Sequence, residues 1–332
     1  MRRSGWLLRG LVVLALAAAI ALVILAQPLP EPAPPPTSTP VSPQAQDVAL
    51  RQTQDAIRTP TSTPAPTSTP TPTLMPTPTH TPTPTPTPTP SCTESTGRVE
   101  QHTYFCQTSG DEQPYRIYLP PCYDRSGQRY PVLYLLHGWP YDEYHWDKLG
   151  VDEAADEGIA EGTLAPFIIV LPGGSEALYV NTSGGDHSFE GQVINDLIPH
   201  VDATYRTRPE RAGRAIGGIS RGGVWALEIG FQHANLFAAV GAHSPALSVN
   251  LAPWPYDPFH LLQEPGVGLL RIYLDAGDAD WAREATQALH EALDEQGIRH
   301  KFVVHPGRHA NELWEENTPE YLAFYAAGWL RE

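Results

Sequence analysis

Positive charge is scarce in this 332-residue chain: 21 lysines and arginines stand against 37 aspartates and glutamates, a net charge of −16. Three of the arginines, Arg2, Arg3 and Arg9, lie within the first ten residues, so the chain beyond them is more acidic than the whole. Nucleic acid and anionic membrane surfaces repel such a chain, and neither is expected as a partner. Cysteine is scarce as well. Cys92, Cys106 and Cys122 allow one bridge and leave one thiol over. Long apolar runs are limited to one, "LVVLALAAAIALVILA" from Leu11 to Ala26. From residue 28 to 91 large apolar residues are few and proline and threonine dominate, with one interruption, "QAQDVALRQTQDAIR", that is too short to pack alone, which excludes a packed core there.

The apolar run comes after basic residues, an order that keeps the N-terminus in the cytoplasm and sends the remainder across the membrane. Its length falls between a signal-peptide core and a spanning helix of about 17 to 25 residues. Ala26 suits a cleavage site, but Ile24 does not supply the second small residue. Residues 1–27 are therefore read as a membrane anchor, or else a cleaved signal of a secreted protein. Residues 28–91 read as a spacer. "TPTPTPTPTP" removes amide donors and biases each preceding residue toward extended backbone, giving a semi-rigid rod of about 3.1 Å per residue. Such a rod places the rest of the chain, 92–332, at the cell surface, and its threonines suit O-glycans.

In 92–332 the pattern changes. "YPVLYLLHG", "APFIIVLPGG", "RAIGGIS", "LFAAVGAHSP", "LLRIYLDAG" and "HKFVVHPG" are short apolar runs ending at turns, as expected of strands buried on both faces. Between them lie helical segments. "SFEGQVINDLIPHVDATY" carries a kink at Pro199, "RGGVWALEIGFQH" follows its strand at once, and "DWAREATQALHEALDEQG" closes at Gly297; "NELWEENTPEYLAFYAAGWL" comes last. Alternation of this kind predicts an α/β fold, a mostly parallel, doubly wound sheet flanked by helices. "RVEQHTYFC" and "PYRIYLPPC" read as a hairpin around "TSGDEQ", with Cys106 opposite about Arg116. That distance from Cys122 is too great for a bridge, so Cys92–Cys122 is the expected disulfide.

"GGISRGG" puts Ser220 on the turn between a strand and a helix, the setting of a Gly-x-Ser-x-Gly nucleophile. The alternative is a glycine-rich turn with a capping serine. A hydroxyl needs a base to take its proton and an acid to orient that base. His309, before the last helix, is the expected base. His305, at a strand end, and His243 read as structural. For the acid, "YLDAGDADW" offers Asp275, Asp278 and Asp280, and pattern alone does not choose among them. No metal or cofactor is implied.

These stretches, with "YLPPCYD", "YPVLYLLHGWPYDEYHW", "NDLIPHVDATY", "DAGDAD" and "PGRHANELW", resemble the esterase family of the α/β-hydrolase superfamily. That family holds esterase D, feruloyl and enterochelin esterases and mycolyltransferases of the antigen 85 type. The resemblance runs from about Arg98 onward. It implies Ser220 as nucleophile, Asp280 as acid and His309 as base, with backbone amides of Trp139 and Arg221 holding the oxyanion. It further implies hydrolysis of a carboxylic ester, carbohydrate-linked or feruloyl, with acyl transfer to another acceptor as the alternative. A displayed binding module without activity is the third reading. Trp146, Tyr179 and Trp254 are expected to line the substrate cleft as rings that stack on a sugar or aromatic acyl group, with plain packing as the alternative for each.

Overall fold

The computed structural model describes residues 92–181 and 183–330. The expected membrane segment (1–27) and Thr/Pro-rich spacer (28–91) lie outside them, and among the described residues no helix is long and apolar enough to cross a membrane. Eight strands form one sheet: β1 (Arg98–Cys106), β2 (Asp111–Leu119), β3 (Val132–Leu136), β4 (Ile168–Pro172), β5 (Arg214–Ile219), β6 (Ala239–His243), β7 (Arg271–Gly277) and β8 (His300–His305). Their spatial order is β1-β2-β4-β3-β5-β6-β7-β8. β1 and β2 pair antiparallel, β2 runs antiparallel to β4, and β4 through β8 are all parallel.

The central strands are apolar throughout because both of their faces are covered. Every residue of β3, β4, β5 and β6 is buried. Their period of two splits them between two cores: Val132, Tyr134 and Leu136 join one, Leu133 and Leu135 the other. Helix α1 (Val151–Glu161) packs Val151 and Ala155 into the second core. The sequence reading passed over this helix, whose acidic face hides a narrow apolar stripe. The segment with Pro199 runs through a π-helical turn, Gln192–Leu197, into α2 (Ile198–Thr204). There the proline stands near the helix start, where its missing amide costs little. Helix α3 (Arg221–Gln232) is almost wholly buried in the first core, which also takes Leu289 and Leu293 of α4 (Arg283–Glu295). Helix α5 (Asn311–Ala326) covers the opposite face with α1.

The hairpin register differs from the expected one. Gly110, at φ 79°, closes a turn immediately after Cys106, so Cys106 faces Asp111 and Arg116 faces Gln101. β2 thus begins earlier than "PYRIYLPPC" suggests. Cys92 and Cys122 are joined, with Cα atoms 5.7 Å apart. Cys106 is free and buried, its thiol donating to Asp196 at 3.2 Å.

Candidate active site

The parallel strands end along one edge, and the turns there carry the chemistry. Ser220 stands between β5 and α3 with φ 56° and ψ −114°, a conformation costly for a residue with a Cβ. The surroundings enforce it: the Ser220 amide donates to the His243 carbonyl at 2.8 Å, and the Ser220 carbonyl accepts from Ala246 at 3.0 Å. The flanking glycines are required by space. A Cβ on Gly218 would overlap the Gly222 carbonyl, and one on Gly222 would overlap the His137 and Leu136 carbonyls.

His309 lies in the connection from β8 to α5. Its Nε2 is 2.9 Å from Ser220 Oγ, and its Nδ1 is 2.9 Å from Asp280 Oδ1. Asp280 follows β7, and its Oδ1 also accepts the Ala282 amide at 2.7 Å. Burial pushes the Asp280 carboxyl upward. Hydrogen bonds from His309, Ser244 and the Ala282 amide outweigh it and hold the group below the usual aspartate range, as an anion. An anion there fixes the imidazole with Nδ1–H toward the carboxylate, leaving the Nε2 lone pair to the serine hydroxyl.

The other two acids are separated from this cluster. Asp275 is fully buried against His243, and exposed Asp278 accepts the Gly307 amide at 2.9 Å. His305 meets the Tyr273 hydroxyl at 3.3 Å and serves packing.

Opposite the serine, Gly138 comes so near that a Cβ on it would lie 3.6 Å from Ser220 Cβ. Its amide donates to His145 Nδ1 at 3.1 Å, so His145 carries its proton on Nε2, toward Asn311 Oδ1. Burial lowers the pKa of His145 and drives that of His137 down to about 4, so both rings beneath this turn favour the neutral form. The Trp139 amide, next to Gly138, and the Arg221 amide, next to Ser220, have no protein acceptor among the described residues. The Arg221 amide is the first of α3 and carries the helix's partial positive charge.

Of the expected cleft residues, Trp146 belongs to the core, and Tyr179 is buried where it borders a cavity beside Trp139. Trp146 is 1% exposed and donates its indole N–H to the Leu136 carbonyl at 2.9 Å. Tyr179, also 1% exposed, stacks on His137 at 4.2 Å and gives its hydroxyl to the His137 carbonyl. Both hold up the turn that bears Trp139. Trp254 is 70% exposed and packs only against His260 among ring contacts of the described residues. The sequence reading missed Trp281, half exposed with its ring 4.2 Å from that of His309, and Ser244 beside Asp280. Adjacency to Asp280 was the available signal for Trp281. Ser244, at φ 48°, offered none.

Sheet order and serine turn define the class, an α/β-hydrolase fold. A family model described as "Putative esterase" matches residues 107–325, well over half of the chain, and the chain belongs to this esterase family. It is 33% identical over 219 residues to an endo-1,4-beta-xylanase/feruloyl esterase of Xylanibacter ruminicola, covering 64% of this chain and 29% of that one. An esterase of Mycobacterium tuberculosis is 35% identical over 162 residues, 47% of this chain and 34% of its own. The chain thus spans about a third of the length of these curated relatives. Among solved structures, a ferulic acid esterase matches with a TM-score of 0.65 at 24% identity, covering 70% of this chain and 99% of that one. An S-formylglutathione hydrolase from Staphylococcus aureus matches with 0.60 at 17% identity, covering 69% and 99%. At such identities the likeness concerns the fold.

Proposed function

We propose that this chain is a serine esterase that cleaves carboxylic esters through an acyl-enzyme, working outside the cytoplasm. The observation that carries this reading is the unbroken line Ser220 Oγ–His309 Nε2, His309 Nδ1–Asp280 Oδ1, each step 2.9 Å. In the first half-reaction His309 Nε2 takes the hydroxyl proton as Ser220 Oγ bonds to the ester carbonyl carbon. The carbonyl oxygen becomes an oxyanion facing the Trp139 and Arg221 amides. Collapse breaks the bond to the alkoxy oxygen, which leaves with the proton from His309. Water then repeats the sequence, releasing the acid and restoring Ser220.

Trp139, Trp281 and Trp254 are exposed aromatic rings on the loops at this edge, and they favour a flat acyl group or a sugar. A cavity of about 380 Å³ floored by His137 and Tyr179 opens beside Trp139. With relatives named as feruloyl esterases, this supports an aromatic ester of a polysaccharide as substrate. Arg2, Arg3 and Arg9 before Leu11–Ala26, and the Thr/Pro spacer, support display from a membrane anchor. Protease added to intact cells should then remove the domain, and protection would refute the location.

The activity is tested by turnover of methyl ferulate and p-nitrophenyl acetate by the full chain and by Ser220→Ala. Loss of about 10⁴- to 10⁶-fold in kcat/KM with unchanged circular dichroism is expected. Turnover persisting in the variant, or fluorophosphonate labelling at another residue, would overturn the reading.

A further inference from the structure

A second group of polar side chains lies at the far end of β8 from His309, where α4 finishes and the edge strand starts. His290 and Asp294 are four residues apart on α4 and share one helix face, and His300 opens β8. His290 Nδ1 faces His300 Nε2 at 2.6 Å, and Asp294 Oδ2 is 3.7 Å from His290 Nε2. One donor atom from each of the three lies within 4.8 Å of the others.

The tautomer of His300 is set from behind. Its Nδ1–H donates to the Ile298 carbonyl at 2.8 Å, which leaves a lone pair on Nε2, directed at His290. Two imidazole nitrogens cannot face each other as lone pairs, so a proton or a metal ion must lie between them. The last turn of α4 contributes negative charge, with Asp294 and Glu295 and no lysine or arginine at the end where the helix's partial negative charge lies, while Arg299 and Lys301 flank His300 in the chain and Lys301 pairs with Glu320. The pair is open to solvent, with the His290 side chain 30% exposed.

We propose that His290, His300 and Asp294 form a binding site for a divalent transition metal of the zinc type, with water as the fourth ligand. Two imidazole nitrogens and a carboxylate oxygen are a zinc ligand set. The supports that such ligands need are in place: the Ile298 carbonyl orients His300, and Phe302 stacks on the His290 ring at 4.8 Å. Metal–nitrogen bonds of about 2.0–2.1 Å in a tetrahedron require the nitrogens to stand about 3.3 Å apart. A small rotation of the part-exposed His290 supplies the difference. The ion would pin the end of α4 to the edge strand. These two elements follow Asp280 and precede His309, so the metal stiffens the frame of the site without touching substrate.

The test is titration of the metal-stripped full chain with Zn²⁺ against a chromophoric chelator. One equivalent bound at micromolar or tighter concentration is expected, with affinity falling at least about tenfold in His290→Ala and in His300→Ala. Added Zn²⁺ should raise the Tm of the wild type by a few degrees and leave His290→Ala unmoved. His309→Ala should bind as the wild type does, separating this ion from one on the Ser220 cluster. Should His300→Ala fail to fold, His290→Gln on the helix surface carries the same comparison. Absence of stoichiometric binding, or binding that survives loss of both histidines, would overturn the proposal and leave a shared proton between the rings.

Discussion

Two Asp–His–hydroxyl lines run through this molecule, and they are nearly superimposable as hydrogen-bond diagrams. In one, Asp280 Oδ1 meets His309 Nδ1 at 2.9 Å and His309 Nε2 meets the Ser220 hydroxyl at 2.9 Å. In the other, Asp275 Oδ1 meets His243 Nδ1 at 2.9 Å and His243 Nε2 meets the Tyr325 hydroxyl at 2.9 Å. The aspartates are five residues apart at the end of β7. What separates the two is access. Asp275, His243 and Tyr325 are wholly buried, Tyr321 stacks on the imidazole at 3.7 Å and donates to the second Asp275 oxygen, and Gly217 and Gly241 press on the Tyr325 hydroxyl. Burial raises the Tyr325 phenol well above its ordinary range, so it holds its proton. Ser220 sits instead on a strained turn with two unused amides beside it. On the proposed function, the constellation alone does not make a nucleophile; the open face at Ser220 and amides placed to hold an oxyanion are what the buried line lacks.

The widest separation should come from neutralising each aspartate in turn. Asp280→Asn leaves packing intact but removes the anion that holds the His309 tautomer, and kcat/KM should fall about 10³- to 10⁴-fold with little change in Tm. Asp275→Asn removes the charged partner of a fully buried histidine and should destabilise by about 3–5 kcal/mol, while the folded fraction keeps kcat within a few-fold. Paired kinetics and urea unfolding read both axes. Equal losses of activity in the two variants would mean that the buried line takes part in the chemistry.

This contrast also marks what the amino-acid sequence made legible. The strand–turn–helix around Ser220 is written partly locally: Gly218 is compelled by backbone approach within five residues, whereas Gly222 answers to the distant Leu136 and His137 carbonyls. His309 and Asp280 were legible as positions after strand ends, with the choice among Asp275, Asp278 and Asp280 resting on family resemblance alone. The buried line was not legible as a network: it joins residues 243, 275, 321 and 325, and only tertiary packing brings them together. Trp146 was misread for the same reason. An aromatic ring in a loop near the site has the same letter whether it faces substrate or supports the turn from below. Helix α1 escaped because its charged residues equal its apolar ones in number and three of the latter are only alanines, and one glycine turn shifted the β1–β2 register.

A third buried acid sharpens the comparison from the opposite side, since it lacks a histidine. Glu228 of α3 is buried, burial and the nearby charge of Glu190 push its pKa up to about 9, and its Oε1 has no partner among the described residues. The folded protein keeps this proton up to about pH 9, whereas the unfolded chain releases it near the ordinary glutamate value. Stability therefore falls as pH rises across that interval and levels off above it. Glu228→Gln, neutral at every pH, should gain about 1–3 kcal/mol at pH 8 and almost nothing at pH 5. A Tm gain equal at both values would show that the carboxyl is ionised in the fold.

The smallest effect is expected where the two lines differ in their hydroxyl. Tyr325→Phe leaves His243 Nε2 without its partner and should cost about 1–2 kcal/mol, with kcat/KM unchanged within about twofold. The same hydroxyl is what a Cβ on Gly217 would strike, so Gly217→Ala is strongly destabilising beside tyrosine and less so beside phenylalanine. Unfolding of the two single variants and the double variant forms a cycle whose interaction energy should be favourable by about 0.5–3 kcal/mol. Strict additivity would mean that the chain yields elsewhere and that the hydroxyl does not fix the β5–β6 spacing. Coupling would show the second line acting as a spacer behind Ser220: it sets the height of the turn on which the first line depends.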